Sequence, residues 1–180
     1  MLSLQDTAFI GVAGAAVAVS YEQTSGSSSC VFQDGSVATA AKICGEMVAN
    51  TSSVLFGKKI TNIQISLQRQ DEPGGTVYIR HYNSSDEVVT NYWNISADSL
   101  STSQTWYGDG SFSGTDENFA VGDYFCSEYA DAGAQFVLTQ RSTSGSVFDG
   151  SNSHFVTVDN SDTKNTSLTT YDTNFKIEMV

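Results

Sequence analysis

Residues 58–70 read KKITNIQISLQRQ. Ile63, Ile65 and Leu67 alternate with Gln64, Ser66 and Gln68. A period of two places the apolar side chains on one face of an extended chain and the polar ones on the other. On a helix the same residues would scatter around the axis, so the stretch predicts a strand with one buried and one wet face. Asp71-Glu72-Pro73-Gly74-Gly75 follows, where proline fixes φ and glycine takes positive φ without steric cost. TVYIRHY at 76–82 then resumes the alternation through Val77 and Ile79. Two alternating runs around a turn are the unit of an antiparallel sheet.

The pattern extends toward the C-terminus. VVTNYWNI at 88–95, TWYG at 105–108, DYFCSEY at 123–129, QFVLTQ at 135–140, HFVTV at 154–158 and FKIEMV at 175–180 are further strand candidates. Turns rich in Ser, Gly, Asp and Asn break them apart, a spacing that predicts an antiparallel sandwich. Toward the N-terminus, ATAAKICGEMV at 38–48 is the one stretch that could be helical, and Gly45 interrupts it. No strand–helix–strand alternation occurs, which argues against a nucleotide-binding parallel sheet.

A chain of 180 residues is the size of one domain. Eight Lys+Arg against twenty Asp+Glu give a net charge of −12, which excludes a phosphate-binding surface and with it nucleic acid as a partner. Charged residues make up 16% of the chain against a usual value of about 25%, so Ser, Thr, Asn, Gln and Gly supply most of the polar surface.

Thr7 to Tyr21, TAFIGVAGAAVAVSY, is an uncharged stretch of a different character. No Lys or Arg precedes it, unlike a secretory signal, and it is shorter than the roughly 20 apolar residues that span a bilayer. Its large residues Phe9, Ile10, Val12, Val17, Val19 and Tyr21 fall on both faces of either a helix or a strand, so the conformation stays open between the two. An element that is apolar all round is buried all round, either by running through the protein's own core or by inserting into a neighbouring subunit, and insertion is the expectation. A Ser/Gly stretch, Thr24 to Ser29, reads as a joint. The expected organisation is an N-terminal assembly segment and joint at 1–29 and a β-sandwich head at 30–180, with the apolar segment outside the head.

The stretches FGKKITNIQISLQRQ, EPGGTVYIRHYNSSDEVV, DSLSTSQTWY, NFAVGDYFCSEYADAGAQFVLTQ, VFDGSNSHFVTVDN and FKIEMV, all between Leu55 and Val180, together resemble a jelly-roll domain family. That family is met in secreted archaeal surface proteins and in tail or fibre proteins of phages and archaeal viruses. The resemblance implies an all-β, antiparallel jelly-roll sandwich, similar in architecture to carbohydrate-binding modules and serving attachment or assembly. The chain lacks the tryptophan that such relatives often carry after residue 158.

No enzyme signature accompanies this pattern. His81 and His154 lie within or at the start of strands, outside any catalytic motif, and the GDGSFSG run at 108–114 lacks the lysine of a phosphate cradle. Acidic turns, with Asp149, Asp159 and Asp162 the chosen set, supply oxygen ligands suited to a structural calcium, and jelly-roll domains often hold one. No other cofactor is expected. Adjacent Tyr92-Trp93 and Trp106-Tyr107 point to opposite faces of their strands, which makes Trp93 and Trp106 the candidates for stacking on a glycan. Cys30 and Cys44 are a disulfide candidate, with Cys126 either free or pairing with Cys44 in its place. Asn50, Asn83, Asn94 and Asn165 begin N-x-[ST] sequons, which are glycosylation candidates on an exported surface.

The function expected from the residues is a non-enzymatic subunit of an extracellular filament, on a cell or virion surface. It polymerises with copies of itself through its N-terminal segment, with at most transient membrane contact before assembly. The alternative is a glycan- or receptor-binding attachment module.

Overall fold

The computed structural model describes residues 18–24, 28–32, 41–108, 116–130, 136–142, 152–168 and 171–180. Phe9, Ile10, Val12 and Val17 of the apolar segment, residues 25–27 of the joint, and Asp149 lie outside those residues.

Among the described residues the chain forms thirteen strands, with a 3-10 turn at Ala97–Ser99. The strands are β1 (Val19–Gln23), β2 (Ser28–Phe32), β3 (Ala41–Val48), β4 (Ile60–Gln70), β5 (Thr76–Tyr82), β6 (Val88–Ser96), β7 (Thr105–Tyr107), β8 (Tyr124–Ala130), β9 (Phe136–Ser142), β10 (Ser153–Asp159), β11 (Lys164–Leu168), β12 (Asp172–Thr173) and β13 (Phe175–Met179). No helix of the described residues is long and apolar enough to cross a membrane. The class is therefore all-β, and every pairing is antiparallel except one bridge between Phe32 and Ala41.

Hydrogen bonds link the strands in the order β1-β13-β4-β9-β2-β3-β8-β5-β6. β10 lies on β3 and carries β11, while β12 and β7 pair with β9 and β4. The network folds so that its two halves face one another across the main core. Phe125 of β8 meets Phe175 of β13 edge to face, 5.4 Å between ring centres. Leu67, Ile65, Ile63 and Ile177 from one half pack with Val77, Ile79 and Tyr129 from the other, so the alternation of β4 and β5 does face a common core. The arrangement is sandwich-like.

Residues 41–48 form strand, not helix. β3 is hydrogen-bonded on both flanks, to β8 through Met47↔Tyr124 and to β10 through His154↔Met47. Extended backbone there pairs with β8 and β10, whose facing N–H and C=O groups a helix, bonded within itself, would leave unpaired. The tertiary pairing outweighs the helix preference of the alanines.

The head also begins earlier than residue 30. β1 pairs with β13 over its whole length, Val19↔Met179 to Gln23↔Phe175. β2 pairs with β9 from Ser28↔Arg141 to Phe32↔Val137. Val19 and Tyr21, expected outside the head, thus form part of its sheet. Tyr21 packs half-buried against the main core, whereas Val19 stays exposed.

Cys30 on β2 and Cys44 on β3 form a disulfide, with Cα atoms 6.7 Å apart. It fastens the two halves where β2 and β3 share only one backbone bridge. The sequence separation of 14 corresponds to about 3 kcal/mol of lost unfolded-state entropy. Cys126 is free and buried. Burial and the nearby Glu128 carboxylate push its thiol well above the usual range, which keeps it protonated and inert.

Candidate functional site

Three polar sites stand out, two closed and one open to solvent. The first closes one end of the sandwich. His81 continues the inward phase of Val77 and Ile79 on β5 and is 0% exposed. Its ring stacks on Phe119 at 3.9 Å between centres, and Nδ1 lies 2.8 Å from Asp116 Oδ1. The other oxygen of Asp116 accepts the Tyr92 hydroxyl at 2.7 Å and the Ile60 amide at 3.0 Å. Asp123 lies on the far side of the imidazole, its Oδ2 3.6 Å from Nε2, and accepts the Ser84 and Ala120 amides. Gly122 (φ +93) makes the turn into Asp123, where a Cβ would meet the Ser84 side chain.

Burial acts first on the Asp116 carboxyl and would raise it, but the bonds from His81, Tyr92 and Ile60 hold it below the usual range. A His–Asp–Tyr relay has catalytic components, yet the side chains of His81 and Asp116 are both 0% exposed. General acid–base work requires reach to a substrate proton, so this cluster is a fastening between β5, β6, the start of β4 and the segment 116–123. The clue in the sequence was the phase of His81 within TVYIRHY, which placed it on the buried face.

The second site ties the two halves together. Glu46 of β3 points into the core, 0% exposed, and its Oε1 accepts the Thr173 amide at 2.5 Å. Among the described residues Oε2 has no hydrogen-bond partner. Burial, and then the neighbouring Asp172 carboxylate, raise the Glu46 pKa well above the usual value, so the group holds its proton. A raised folded-state pKa on an acid means that stability falls as pH rises from the unfolded value of about 4.3 up to the folded one. Glu46→Gln is accordingly expected to match the wild type below about pH 4 and to be more stable at neutral pH. Urea unfolding at both pH values checks this, and a variant less stable than wild type at pH 7 would refute it.

The third site is a cleft of about 310 Å³ on the outer face of β3, β5 and β8. Its floor is a second apolar cluster, including Ile43, Tyr82, Tyr124 and Val158, in which the two tyrosine rings stack at 5.2 Å. Charged side chains form the rim. Glu128 Oε2 accepts the Tyr82 hydroxyl at 2.6 Å and Arg80 at 2.5 Å. Asp86 Oδ1 accepts the Tyr124 hydroxyl at 3.0 Å and Lys164 at 2.6 Å, and Lys164 also sits 4.4 Å over the Tyr124 ring. Lys42 pairs with Asp162. Both tyrosines are raised above their ordinary pKa, by burial first, and stay protonated as donors.

The sequence-predicted candidates are dispersed. Trp93 is half-buried, packed against the main core, and donates Nε1–H to the Ile63 carbonyl at 3.0 Å. Trp106 is likewise half-buried, on β7, with Lys176 Nζ 5.0 Å from its ring. Tyr107 next to it packs on the main core, so Trp106 faces away from that core and the two indoles form no common platform. Asp159 caps its own turn by accepting the Ser161 and Thr163 amides, and Asp162 is engaged by Lys42. Among the described residues no group of three or more His, Cys, Asp or Glu side chains is arranged to hold a metal ion. Asn94 and Asn165 are exposed, whereas the side-chain amides of Asn50 and Asn83 donate to Asn152 and Glu87.

At the other end of the sheet, β1 is a terminal strand, paired with β13. Val19 is 38% exposed where the apolar stretch enters it. A shallow groove of about 220 Å³ runs beside it, lined by Tyr21, Gln64, Lys176 and Glu178 among others. Comparison with known proteins gives no match to a family model, to a curated protein or to a solved structure.

Proposed function

We propose that the protein is a non-enzymatic structural subunit of an extracellular filament, a jelly-roll head that polymerises through the apolar stretch ahead of β1. The observation that carries this reading is the junction at Val19: an uncharged, apolar segment runs directly into a strand at the end of the sheet. A terminal strand offers unpaired backbone groups to another chain. Head-to-tail contacts that do not close generate helical arrays. The disulfide suits an oxidising, extracellular setting, as do the exposed sequons at Asn94 and Asn165. A net charge of −12 repeated along a filament opposes lateral clumping.

The test is a chain lacking residues 1–17, which keeps β1 and the whole described head. Under assembly conditions the full chain is expected to form filaments visible by negative-stain electron microscopy, and the truncated chain to remain monomeric in sedimentation. Filaments from the truncated chain would overturn the proposal.

A further inference from the structure

We propose that a slot between β6 and β7 receives the apolar N-terminal stretch of a second copy as an added strand. This rests on the filament reading and names the acceptor within it. Among the described residues β6 pairs with β5 alone and β7 with β4 alone, so each keeps one edge without a strand. Between them lies a groove of about 220 Å³, lined by Trp93, Asn94 and Ile95 of β6 and by Tyr107 and Gly108 at the end of β7. Trp93, Ile95 and Tyr107 pack against the main core yet stay only partly buried, where the sandwich has no strand to cover them. Asn94, between two of these residues, points to the other face, so a glycan on its sequon would stand clear of the slot.

The chemistry of the occupant matches this slot. The stretch from Thr7 to Tyr21 carries no charge, so seating it beside the rings buries no unpaired charge. Gly11, Ala13, Gly14, Ala15 and Ala16 are small enough for its backbone to approach another closely, while the large side chains stand on the acceptor. A strand added at an edge takes affinity from main-chain hydrogen bonds and specificity from side chains seated in pockets. Chain direction selects a second copy over the same one. β1 runs from Val19 to Gln23 beside Met179 to Phe175, and β13 in turn lies beside Ile60 to Ile65 of β4. Ahead of Val19, β1 therefore points past the Ile60 end. The slot lies toward the opposite end, where Trp93 bonds the Ile63 carbonyl and Tyr107 pairs with Ile65.

The test is the full chain, with a benzophenone amino acid in place of Val12, assembled into filaments and irradiated. Mass spectrometry is expected to map the cross-links to residues 93–95 and 105–108. Mixing isotope-labelled with unlabelled chains should show that they join two different copies. Ile95→Glu sets an unpaired charge in the slot wall and should lower the filament yield in sedimentation about tenfold or more, with circular dichroism confirming that it is folded. Should that variant fail to fold, the cross-link map decides. Asn118→Ala, on an exposed position outside the slot, should assemble as wild type. Cross-links confined to other parts of the head, or wild-type filament yield from folded Ile95→Glu, would overturn the slot and leave the filament reading standing. Cross-links within one copy, or no filaments from the unaltered full chain, would overturn both.

Discussion

Asp116→Ala is expected to lower the unfolding free energy by about 3–5 kcal/mol, the cost of breaking a buried charged network at one partner. The carboxylate is the hub of the closed end, bonded to His81, to the Tyr92 hydroxyl and to the Ile60 amide. Alanine strips these three bonds, and the one from the Glu117 amide to Oδ1, in a place water does not reach. The milder Asp116→Asn keeps an acceptor and removes the charge, so the two variants separate shape from electrostatics. The sign of the pH effect follows from the lowered pKa of Asp116. Its contribution is fully present above the unfolded value of about 3.9 and is lost as pH falls through the folded one. The wild type should therefore lose stability at acid pH along a limb that Asp116→Asn flattens. Equilibrium urea unfolding from pH 2 upward checks both expectations, and an Asp116→Ala variant within about 1 kcal/mol of wild type would show that the cluster fastens nothing.

Gly45→Ala is expected to be comparably damaging, about 3 kcal/mol or more, although it adds a single methyl group. Gly45 lies opposite Cys126 on β8 and Val156 on β10. A Cβ there would lie 2.0 Å from the Phe125 carbonyl oxygen and 2.5 Å from Cys126 Cβ. The obstacle is backbone in the middle of a sheet paired on both sides, and no rotamer change relieves it. The variant should show a lowered urea midpoint. Reaching wild-type stability would mean that β3 and β8 part easily.

The strands legible in the sequence are those whose side chains answer to one buried face. β4 and β5 announce themselves through Ile63, Ile65, Leu67, Val77 and Ile79, because half-burial imposes the alternation that reveals it. β3 is buried on both faces over much of its length, from Ile43 to Glu46. It therefore loses the alternation and, with its alanines, reads as a broken helix. β11, KNTSL, and β12, Asp172–Thr173, carry no apolar pattern and exist because β10 and β9 offer them partners. The tryptophans drew notice by residue type, whereas the cleft is built from Lys42, Tyr82, Asp86, Tyr124, Glu128 and Asp162, which come from separate segments and share no local spacing.

Composition and periodicity alone determined the all-β class, the turn after β4, the net charge of −12 and the uncharged character of the N-terminal stretch. Each of these is written in residue type and local order. Tertiary structure alone decided that residues 41–48 are extended, that Val19 and Tyr21 belong to the sheet, that Cys30 meets Cys44, and that His81 sits between two carboxylates. Those outcomes depend on which strands become neighbours. Long-range pairing brings together groups that are far apart along the chain, and no local period records it.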